Sequence, residues 1–391
     1  MMKVTISVGG RFHAFDLAGQ LQKRGVLHRL ITSYPKFKTM QWGIPKNKIK
    51  SILSNELLNR GWHKFPEALK FGWNPSFYLH DRFDHLAAEK IPKGTDLFVG
   101  WSGFSLHSLR RAKDMGALTI LERGSSHMLY QTNILKEEYE NFGMAANVAH
   151  PKIIEKELEE YELADYISIP SSFVKDTFIQ HGISPEKLIQ VLYGVDLGNF
   201  QPVAKKDRVF RIIHCGGLML RKGVHYLLQA FYELSLKNSE LWLIGGMSPE
   251  IKRFLDKYKL SNIIIKGTFP QSELFKQYSQ GSVFCLSSIE EGFGMVIPQA
   301  MACGLPVICT TNTGGMEIVR DGKDGFIIPI RDVESLKEKL VYFYENPERC
   351  EEMGVSARNR VNSGFSWDDY GKRMVSSYQK ILEKRLKTVF D

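Results

Sequence analysis

Short apolar runs alternate with longer stretches of mixed polarity along the first half of the chain. A run of about four to eight apolar residues bounded by glycine, proline or polar residues is typical of a buried strand. The stretches between the runs favour amphipathic helices, as at 14–23 and after the capping residues Ser171 and Ser172. Because strands and helices alternate, the pattern predicts a parallel sheet with helices on both faces. The predicted strands are 3–8, 96–101, 117–121, 166–170 and 187–192.

The alternation pauses near residue 200 and then resumes. Residues 200–208 are polar, include a proline and have few apolar side chains, as linkers do. We therefore expect two α/β domains, at 1–200 and 205–365, and a C-terminal amphipathic helix at 366–391. Since ligands of such sheets bind at the carboxyl ends of the strands, the site is expected in a cleft between two facing, Rossmann-like, doubly wound domains. The strands predicted in the second domain are 209–215, 241–245, 262–266, 283–287, 306–310 and 325–329.

The composition is that of a folded globular protein with an uneven charge. Hydrophobic residues make up 43% and charged residues 24% of the 391 residues, which excludes a disordered or fibrous chain. The net charge of +9 is concentrated in residues 1–75, where 13 Lys and Arg stand against three Asp and Glu. Its densest part, 35–53, places lysines around Trp42 and Ile44. This segment predicts contact with an anionic membrane, binding of a polyanionic or lipid-linked acceptor, or a solvated loop. Nucleic acid is not expected, because no recognised nucleic-acid motif accompanies the charge.

The lack of a recognisable targeting signal and the spacing of the cysteines both favour the cytoplasm. No apolar run approaches the roughly 20 residues that cross a bilayer, and the first apolar segment is too short for a signal peptide. The five cysteines have no CxxC spacing, so neither a zinc site nor a disulfide framework is indicated. We expect a cytoplasmic protein that is either soluble or peripheral on the inner face of the membrane.

The most informative segment is 281–310, in which a strand, a glycine-rich loop, a helix and a second strand follow one another. Free backbone N–H groups at the start of a helix suit a phosphate. Glu291 in the same loop would repel a phosphate, so it fits a sugar hydroxyl better. Gln299, two turns further along the helix, is placed to reach a ribose. The alternative is a tight turn that carries a solvated pair, Glu290 and Glu291.

A second segment, 214–231, has a strand, a glycine-rich turn and a helix. Arg221 and Lys222 stand where the helix begins, and cations are unfavourable there unless an anion binds. The pair is therefore a candidate site for a diphosphate. It is not a Walker motif, since no GK[ST] occurs. The alternative is a surface-exposed pair of cations.

Two weaker patterns lie in the first domain. Gly9 and Gly10 follow the first strand and permit close approach of a ligand to the backbone. No GxGxxG occurs, which argues against a dinucleotide site. The HDRFDH run at 80–85 offers metal-ligand side chains, but it lacks a third, separated partner, and no metal site is expected.

The two glycine-rich segments resemble the donor site of retaining GT-B glycosyltransferases of family 4, the glycosyltransferases group 1. In that family Glu is followed by GFG, a small-residue helix and G-x-P-V, and a second turn carries Lys-Gly. Two positions depart from the family pattern, since Gln299 replaces a second Glu and Gly217 replaces an Arg. The resemblance runs through 95–385 and is weakest at 34–80. The matching residues are Glu291-Gly292-Phe293-Gly294, Ala300-Met301-Ala302, Gly304-Leu305-Pro306-Val307 and Lys222-Gly223.

The resemblance implies roles for individual residues. Glu291 is implied to bind a hydroxyl of the donor sugar, Arg221 and Lys222 to stabilise the diphosphate, and His127 to border the reaction centre. His13 and Arg123 are implied on the acceptor side. The other implied donor-binding residues are Gly9, Gly10, Gly217, Gly292, Phe293, Gly294, Met295, Val296 and Gln299.

The implied activity is transfer of a sugar from a nucleotide-diphosphate sugar to a hydroxyl of a glycan or lipid-linked glycan, with retention and without metal or cofactor. A double displacement needs a carboxylate nucleophile. Glu122 is the nearest candidate for this nucleophile, but an ion pair with the adjacent Arg123 is an equally good interpretation of its carboxylate. Same-face substitution is therefore expected. The alternatives are a GT-B nucleotide-sugar epimerase and, given Gly217 and Gln299, a non-catalytic sugar-binding subunit. The sequence does not indicate the oligomeric state.

Overall fold

The computed structural model describes residues 2–64, 74–146 and 148–390. Part of the basic N-terminal fifth, 65–73, lies outside the described residues. The described chain builds two parallel sheets, each covered by helices. The strands of the first sheet are β1 (Val4–Val8), β2 (Leu27–Thr32), β3 (Ile49–Ser51), β4 (Leu97–Trp101), β5 (Leu118–Glu122), β6 (Tyr166–Ile169) and β7 (Leu188–Gln190).

The first sheet has the order β3-β2-β1-β4-β5-β6-β7, and its strand pairs are parallel. The strand order reverses between β1 and β4, which is the switch point where open α/β sheets bind ligands. Helices connect the strands on both faces. They are α1 (Ala14–Lys23), α2 (Lys36–Thr39), α3 (Leu53–Lys64), α4 (Ser76–Ala88), α5 (Leu106–Asp114), α6 (Met128–Asn141), α7 (Pro151–Leu163) and α8 (Ser172–Gln180).

The second sheet has six parallel strands in the order β10-β9-β8-β11-β12-β13, once the strands are numbered along the chain. These strands are β8 (Phe210–Cys215), β9 (Ser239–Ile244), β10 (Ile263–Gly267), β11 (Val283–Leu286), β12 (Val307–Thr310) and β13 (Gly325–Ile328). The helices are α9 (Val224–Leu234), α10 (Lys252–Lys257), α11 (Leu274–Tyr278), α12 (Val296–Ala302), α13 (Gly315–Ile318), α14 (Val333–Glu345), α15 (Pro347–Asn362) and α16 (Trp367–Phe390).

The predicted strands are all present, because strands buried on both faces have near-continuous apolar sequences. Ser171 also caps α8 as predicted, since its hydroxyl accepts a hydrogen bond from the backbone N–H of Val174 at 3.3 Å. Two strands were not predicted. β2 includes the half-exposed polar residues His28 and Arg29, and β3 has only three residues at the sheet edge.

The basic segment 35–53 is not a solvated loop. It forms α2, two turns of 3-10 helix and the edge strand β3. Ile44 is buried, and the indole of Trp42 donates a hydrogen bond to Asp16 at 3.0 Å. Lys48 donates to the carbonyl oxygen of Leu27 at 2.7 Å. The segment is therefore part of the first domain's core edge, with most of its other lysines on the surface.

The last helix, α16, returns from the second domain to pack against α1 of the first. Tyr370, Met374 and Tyr378 are fully buried on one side of this helix. Arg24 of α1 donates to the backbone carbonyl of Asp368 at 2.7 Å. The helix thus ties the two sheets together from outside the cleft. Within the described ranges, no helix has both the length and the apolar character needed to cross a membrane.

Candidate active site

A cavity of about 540 Å³ separates the carboxyl ends of β1, β4 and β5 from the loop between β11 and α12. It lies where the topology places ligands of facing α/β sheets. Side chains of the second domain that line it are Glu291, Phe293 and Met295. The wall formed by the first domain includes Phe12, His13, His80, Trp101, Phe104, Glu122, Arg123 and Tyr193.

The loop that carries Glu291 is seated directly on the first domain. Gly292 accepts a hydrogen bond from the Ser171 hydroxyl at 2.6 Å through its carbonyl oxygen. A Cβ at Gly292 would overlap the carbonyl group of Gly124, so only glycine permits this approach. Gly294 adopts a left-handed conformation with φ of 76°, which also favours glycine. The loop glycines therefore serve domain contact and backbone geometry.

Glu290 joins the two domains beside the cavity. Its carboxylate is fully buried and accepts hydrogen bonds from the Ser126 N–H at 3.0 Å, the Ser126 hydroxyl at 2.8 Å and the Gln131 amide at 2.8 Å. Arg221, of its own domain, donates to it at 3.1 Å. Burial acts to raise the pKa of Glu290, but Arg221, Gln131 and Ser126 outweigh it and hold the pKa below its usual value. The alternative of a solvated Glu pair is wrong.

Arg221 and Lys222 lie beside Glu291, which lines the cavity, but they do not line it themselves. The Lys222 ammonium contacts Glu291 Oε2, and Arg221 Nη1 lies 3.8 Å from the same oxygen. The turn brings them there because Gly223, with φ of 62°, packs its backbone against the carbonyl of Ser287. Their side chains are 27% and 12% exposed, so the alternative of a surface-exposed cation pair is also wrong.

The environment of Lys222 weakens its hold on the proton. Burial first, and the neighbouring Arg221 second, lower the pKa of Lys222 to about 7, while Glu290 acts in the opposite direction. An anion placed between Arg221 and Lys222 would restore the charged state of the ammonium. The geometry thus suits a ligand with two or more negative charges.

Gln299 and Gly217 do not line the cavity. Gln299 is 5% exposed and its side-chain oxygen accepts a hydrogen bond from Tyr278 at 3.3 Å. Gly217 lies against Met219, whose Cε would be 2.6 Å from an added Cβ. Their roles toward a ribose and a diphosphate stay predictions, as do those of the backbone at Met295 and Val296.

The glycine pair after β1 shapes the opposite wall. A Cβ at Gly9 would overlap the ring of Phe104, and one at Gly10 would lie 3.0 Å from the ring of Phe12. These glycines let aromatic side chains close over the backbone. Phe12 has a positive φ of 40° and is 56% exposed beside the cavity.

His13 and Arg123 are both on the cavity wall, where the resemblance placed the acceptor. His13 Nε2 lies 3.2 Å from the buried carboxylate of Glu122, and its ring is 4.0 Å from that of Tyr193. Arg123 does not pair with Glu122, so the alternative of an ion pair between these two neighbours is wrong. It donates to Glu157 at 2.7 Å and to the carbonyl oxygen of Ser126.

His127 does not line this cavity, so its prediction beside the reaction centre needs correction. Its Nδ1 accepts a hydrogen bond from the Leu129 N–H at the start of α6, and its ring stacks on His181 at 4.3 Å. Burial, His181 and Arg123 lower its pKa to about 3, so the ring is neutral. The loop residues that do line the cavity come earlier, at 122–125.

The argument against metal ligands at 80–85 also needs correction. The fold brings His107 of α5 beside Asp81 and His85 of α4, and supplies the separated partner that the sequence did not show. Sequence reasoning likewise missed the domain-joining role of Glu290 and the cavity positions of His80 and Trp101. A strand end at Trp101 was the available signal for one of them, whereas His80 enters from a helix.

Comparison with known proteins finds a family model that matches part of the chain. Residues 198–360 match the family model of glycosyl transferases group 1. The MMP alpha-(1->4)-mannosyltransferase of Mycolicibacterium hassiacum is 26% identical over 228 residues, which are 57% of this chain and 56% of that protein. The chain spans about half the length of the curated relatives that it matches first.

Solved structures resemble the whole chain. Sucrose-phosphate synthase from Thermosynechococcus elongatus gives a TM-score of 0.72 at 18% identity, over 98% of this chain and 100% of that one. HepE of Anabaena in complex with UDP gives 0.69 at 16% identity, over 97% and 100%. At these identities the likeness establishes the fold, which is GT-B with two facing Rossmann-like domains.

Glu290→Ala is expected to loosen the closed arrangement of the two domains. It removes the buried acceptor of three hydrogen bonds from the first domain, and we expect a loss of about 2–4 kcal/mol of stability. Urea unfolding and the radius of gyration from small-angle scattering measure the two effects. Glu250→Ala is the matched control, because Glu250 accepts one interdomain bond from Tyr139 at 3.1 Å. Equal scattering curves for wild type and Glu290→Ala would contradict the assignment.

Proposed function

We propose that this chain is a retaining glycosyltransferase that moves a sugar from a nucleotide-diphosphate sugar to an acceptor hydroxyl. The match of 198–360 to the group 1 glycosyl transferase model and the GT-B fold support the proposal. The observation that carries the proposal is the contact of Lys222 and Arg221 with Glu291, whose side chain lines the interdomain cavity. In this cluster, groups suited to a diphosphate lie beside a group suited to a sugar hydroxyl.

The bound donor takes the place of the contacts that Arg221 and Lys222 make with Glu291. The diphosphate pairs with Arg221 and Lys222, and Glu291, released from them, accepts a hydrogen bond from a sugar hydroxyl. The amides at 293–296 and Gln299 take the remaining donor contacts. HepE, a structural neighbour, is solved with UDP, and UDP-sugars are therefore the first donors to test.

The reaction proceeds by same-face substitution. The bond between the anomeric carbon and the diphosphate breaks, the acceptor oxygen bonds to the same face, and the acceptor proton passes to the departing phosphate oxygen. Glu122 is a poor nucleophile for a double displacement, because its side chain is fully buried and one of its carboxylate oxygens is paired with His13. Arg221 and Lys222 stabilise the charge on the leaving group, and no metal is required for this step.

The acceptor enters against the wall of the first domain. Phe12, Trp101 and Phe104 offer aromatic faces, and His13 offers a polar edge, which together suit a sugar ring. A glycan or lipid-linked glycan is the proposed acceptor class.

Lys222→Ala and Glu291→Ala are each expected to lower the transfer rate by at least about 100-fold, the scale of losing one electrostatic stabiliser. A thermal-shift screen of UDP-, GDP- and ADP-sugars identifies the donor, and release of nucleoside diphosphate measures the rate. Lys337→Ala and Glu334→Ala, which break an exposed ion pair of 2.6 Å on α14, are the matched controls.

Three outcomes would contradict the assignment. Near-full activity of either site variant removes these residues from the site. Conversion of the donor sugar without any acceptor identifies an epimerase. Donor binding with no release of nucleoside diphosphate, for any glycan acceptor, identifies a binding subunit.

Donor affinity is expected to fall as the pH rises through about 7. The diphosphate raises the pKa of Lys222 above its free value of about 7, so binding takes up a proton and weakens by up to about tenfold per pH unit above 7. Titration calorimetry with an intact nucleotide sugar tests this, since its diphosphate does not ionise near neutral pH. Lys222→Arg keeps the charge and should flatten the profile. An unchanged slope in Lys222→Arg would assign the proton to another group.

We further propose that the edge of the first domain docks on an anionic membrane. The exposed side chains of Phe37 on α2 and Leu57 and Leu58 on α3 are 69%, 70% and 51% accessible. The exposed cations Lys38 and Arg60 belong to the same helices. Apolar side chains among cations favour an anionic interface, at about 1 kcal/mol per cation.

Liposome cosedimentation tests the docking. Phosphatidylcholine vesicles that contain phosphatidylglycerol should bind the protein, and pure phosphatidylcholine vesicles should bind at least about tenfold more weakly. Phe37→Ala with Leu57→Ala should abolish the binding. Val355→Ala, at a 62% exposed position of α15, is the matched control. Binding that ignores the anionic lipid would refute the proposal.

A further inference from the structure

Two histidines and an aspartate converge on the outer side of α4 and α5. Asp81 and His85 are one turn apart on α4, and His107 lies in the first turn of α5. His107 Nε2 is 3.0 Å from Asp81 Oδ1, and His85 Nε2 is 3.6 Å from Asp81 Oδ2. The two imidazole rings stack with centroids 3.5 Å apart. We call these three residues the α4–α5 cluster.

The spacing of the cluster matches that of metal ligands. The ligand atoms all lie within 4.8 Å of one another. Ligand atoms at about 2.0–2.1 Å from a tetrahedral Zn²⁺ are about 3.3 Å apart. The distances from the Asp81 carboxylate to His107 Nε2 and to His85 Nε2, 3.0 and 3.6 Å, lie on either side of that value.

The supporting contacts fix two of the three ligands in advance. The buried carboxylate of Asp84 accepts hydrogen bonds from the backbone N–H groups of His107 and Ser108, both at 2.9 Å. Lys156 lies 2.9 Å from Asp81 and 2.9 Å from Asp84. Such outer contacts orient metal ligands.

The local charge also favours a cation. Lys156 retains Asp84 as its partner, so Asp81 is available to a metal ion. The carboxylates of Asp81 and Asp84 against the single ammonium of Lys156 leave one excess negative charge beside the two imidazoles. The side chains of Asp81, His85 and His107 are 28%, 61% and 25% exposed, so an ion reaches them from solvent and open positions remain for water.

From this geometry we propose that the α4–α5 cluster binds a divalent transition-metal ion, with Zn²⁺ as the best match to a His₂Asp ligand set. None of the three residues lines the interdomain cavity, so the site is separate from the proposed transfer chemistry. It fastens α4, which carries His80, to α5, whose preceding loop carries Phe104. His80 and Phe104 both line the interdomain cavity on the side of the first domain, where the acceptor is proposed to bind.

Competition with a chromophoric zinc chelator tests the site, on full-length protein freed of affinity tag and stripped of metal. We expect one Zn²⁺ per chain, with micromolar or tighter affinity, and a zinc-dependent rise of the melting temperature. His85→Ala, His107→Ala and Asp81→Asn should each weaken the binding by at least about tenfold. His28→Ala, which removes a partly exposed histidine on β2, should leave it unchanged.

Melting temperatures measured in chelator show whether each variant is folded. His85 is mostly exposed, so His85→Ala keeps the test valid even where His107→Ala unfolds the domain. Less than one Zn²⁺ per chain at saturation, or wild-type affinity in His85→Ala, overturns the proposal. Donor binding in chelator is measured separately and reports on the transferase assignment alone.

Discussion

The hydrogen bonds of the buried Glu290 carboxylate, supported by its ion pair with Arg221, hold the two domains together beside the proposed donor site. A fully buried charge is unfavourable unless hydrogen bonds and an opposite charge surround it. The second domain supplies the charge through Arg221, but Ser126 and Gln131 of the first domain supply the other donors. Glu290 is therefore satisfied only when the domains meet. Its position fixes Gly292 against Gly124 and so sets the depth of the cavity.

The same contacts connect the donor site to the domain interface. Arg221 lies 3.1 Å from Glu290 and 3.8 Å from Glu291, so it borders both the interdomain bond and the proposed diphosphate position. A diphosphate that draws Arg221 toward itself changes the electrostatic support of Glu290. Under the proposed function, donor binding and domain closure share one guanidinium group, and a coupling between them follows from these shared contacts rather than from distance.

Sequence periodicity was sufficient for most of the architecture. Strands buried on both faces, such as β4 and β5, have apolar runs that read unambiguously, and the order of the elements then implies the sheets and the cleft. The edge strand β3 was not predicted, because three residues are too few to show a hydrophobic periodicity. Side-chain neighbours across the fold were also beyond the sequence. The ring of His127 turned away from the cavity, and His107 joined Asp81 from 26 positions further along the chain.

The first domain has a net positive charge in its N-terminal fifth but a net negative charge on its cavity wall. The densest part of its basic excess lies in the segment 35–53, whereas the cavity wall carries the carboxylates of Glu122 and Glu157. Of the described residues on that wall, Arg123 is the one with a permanent cation, and Glu157, Ser126 and Gln131 already occupy its donors. An anionic group brought to this wall would meet net negative charge. The wall therefore favours an uncharged sugar ring, and the lysines at the edge are left to contact a surface outside the cleft.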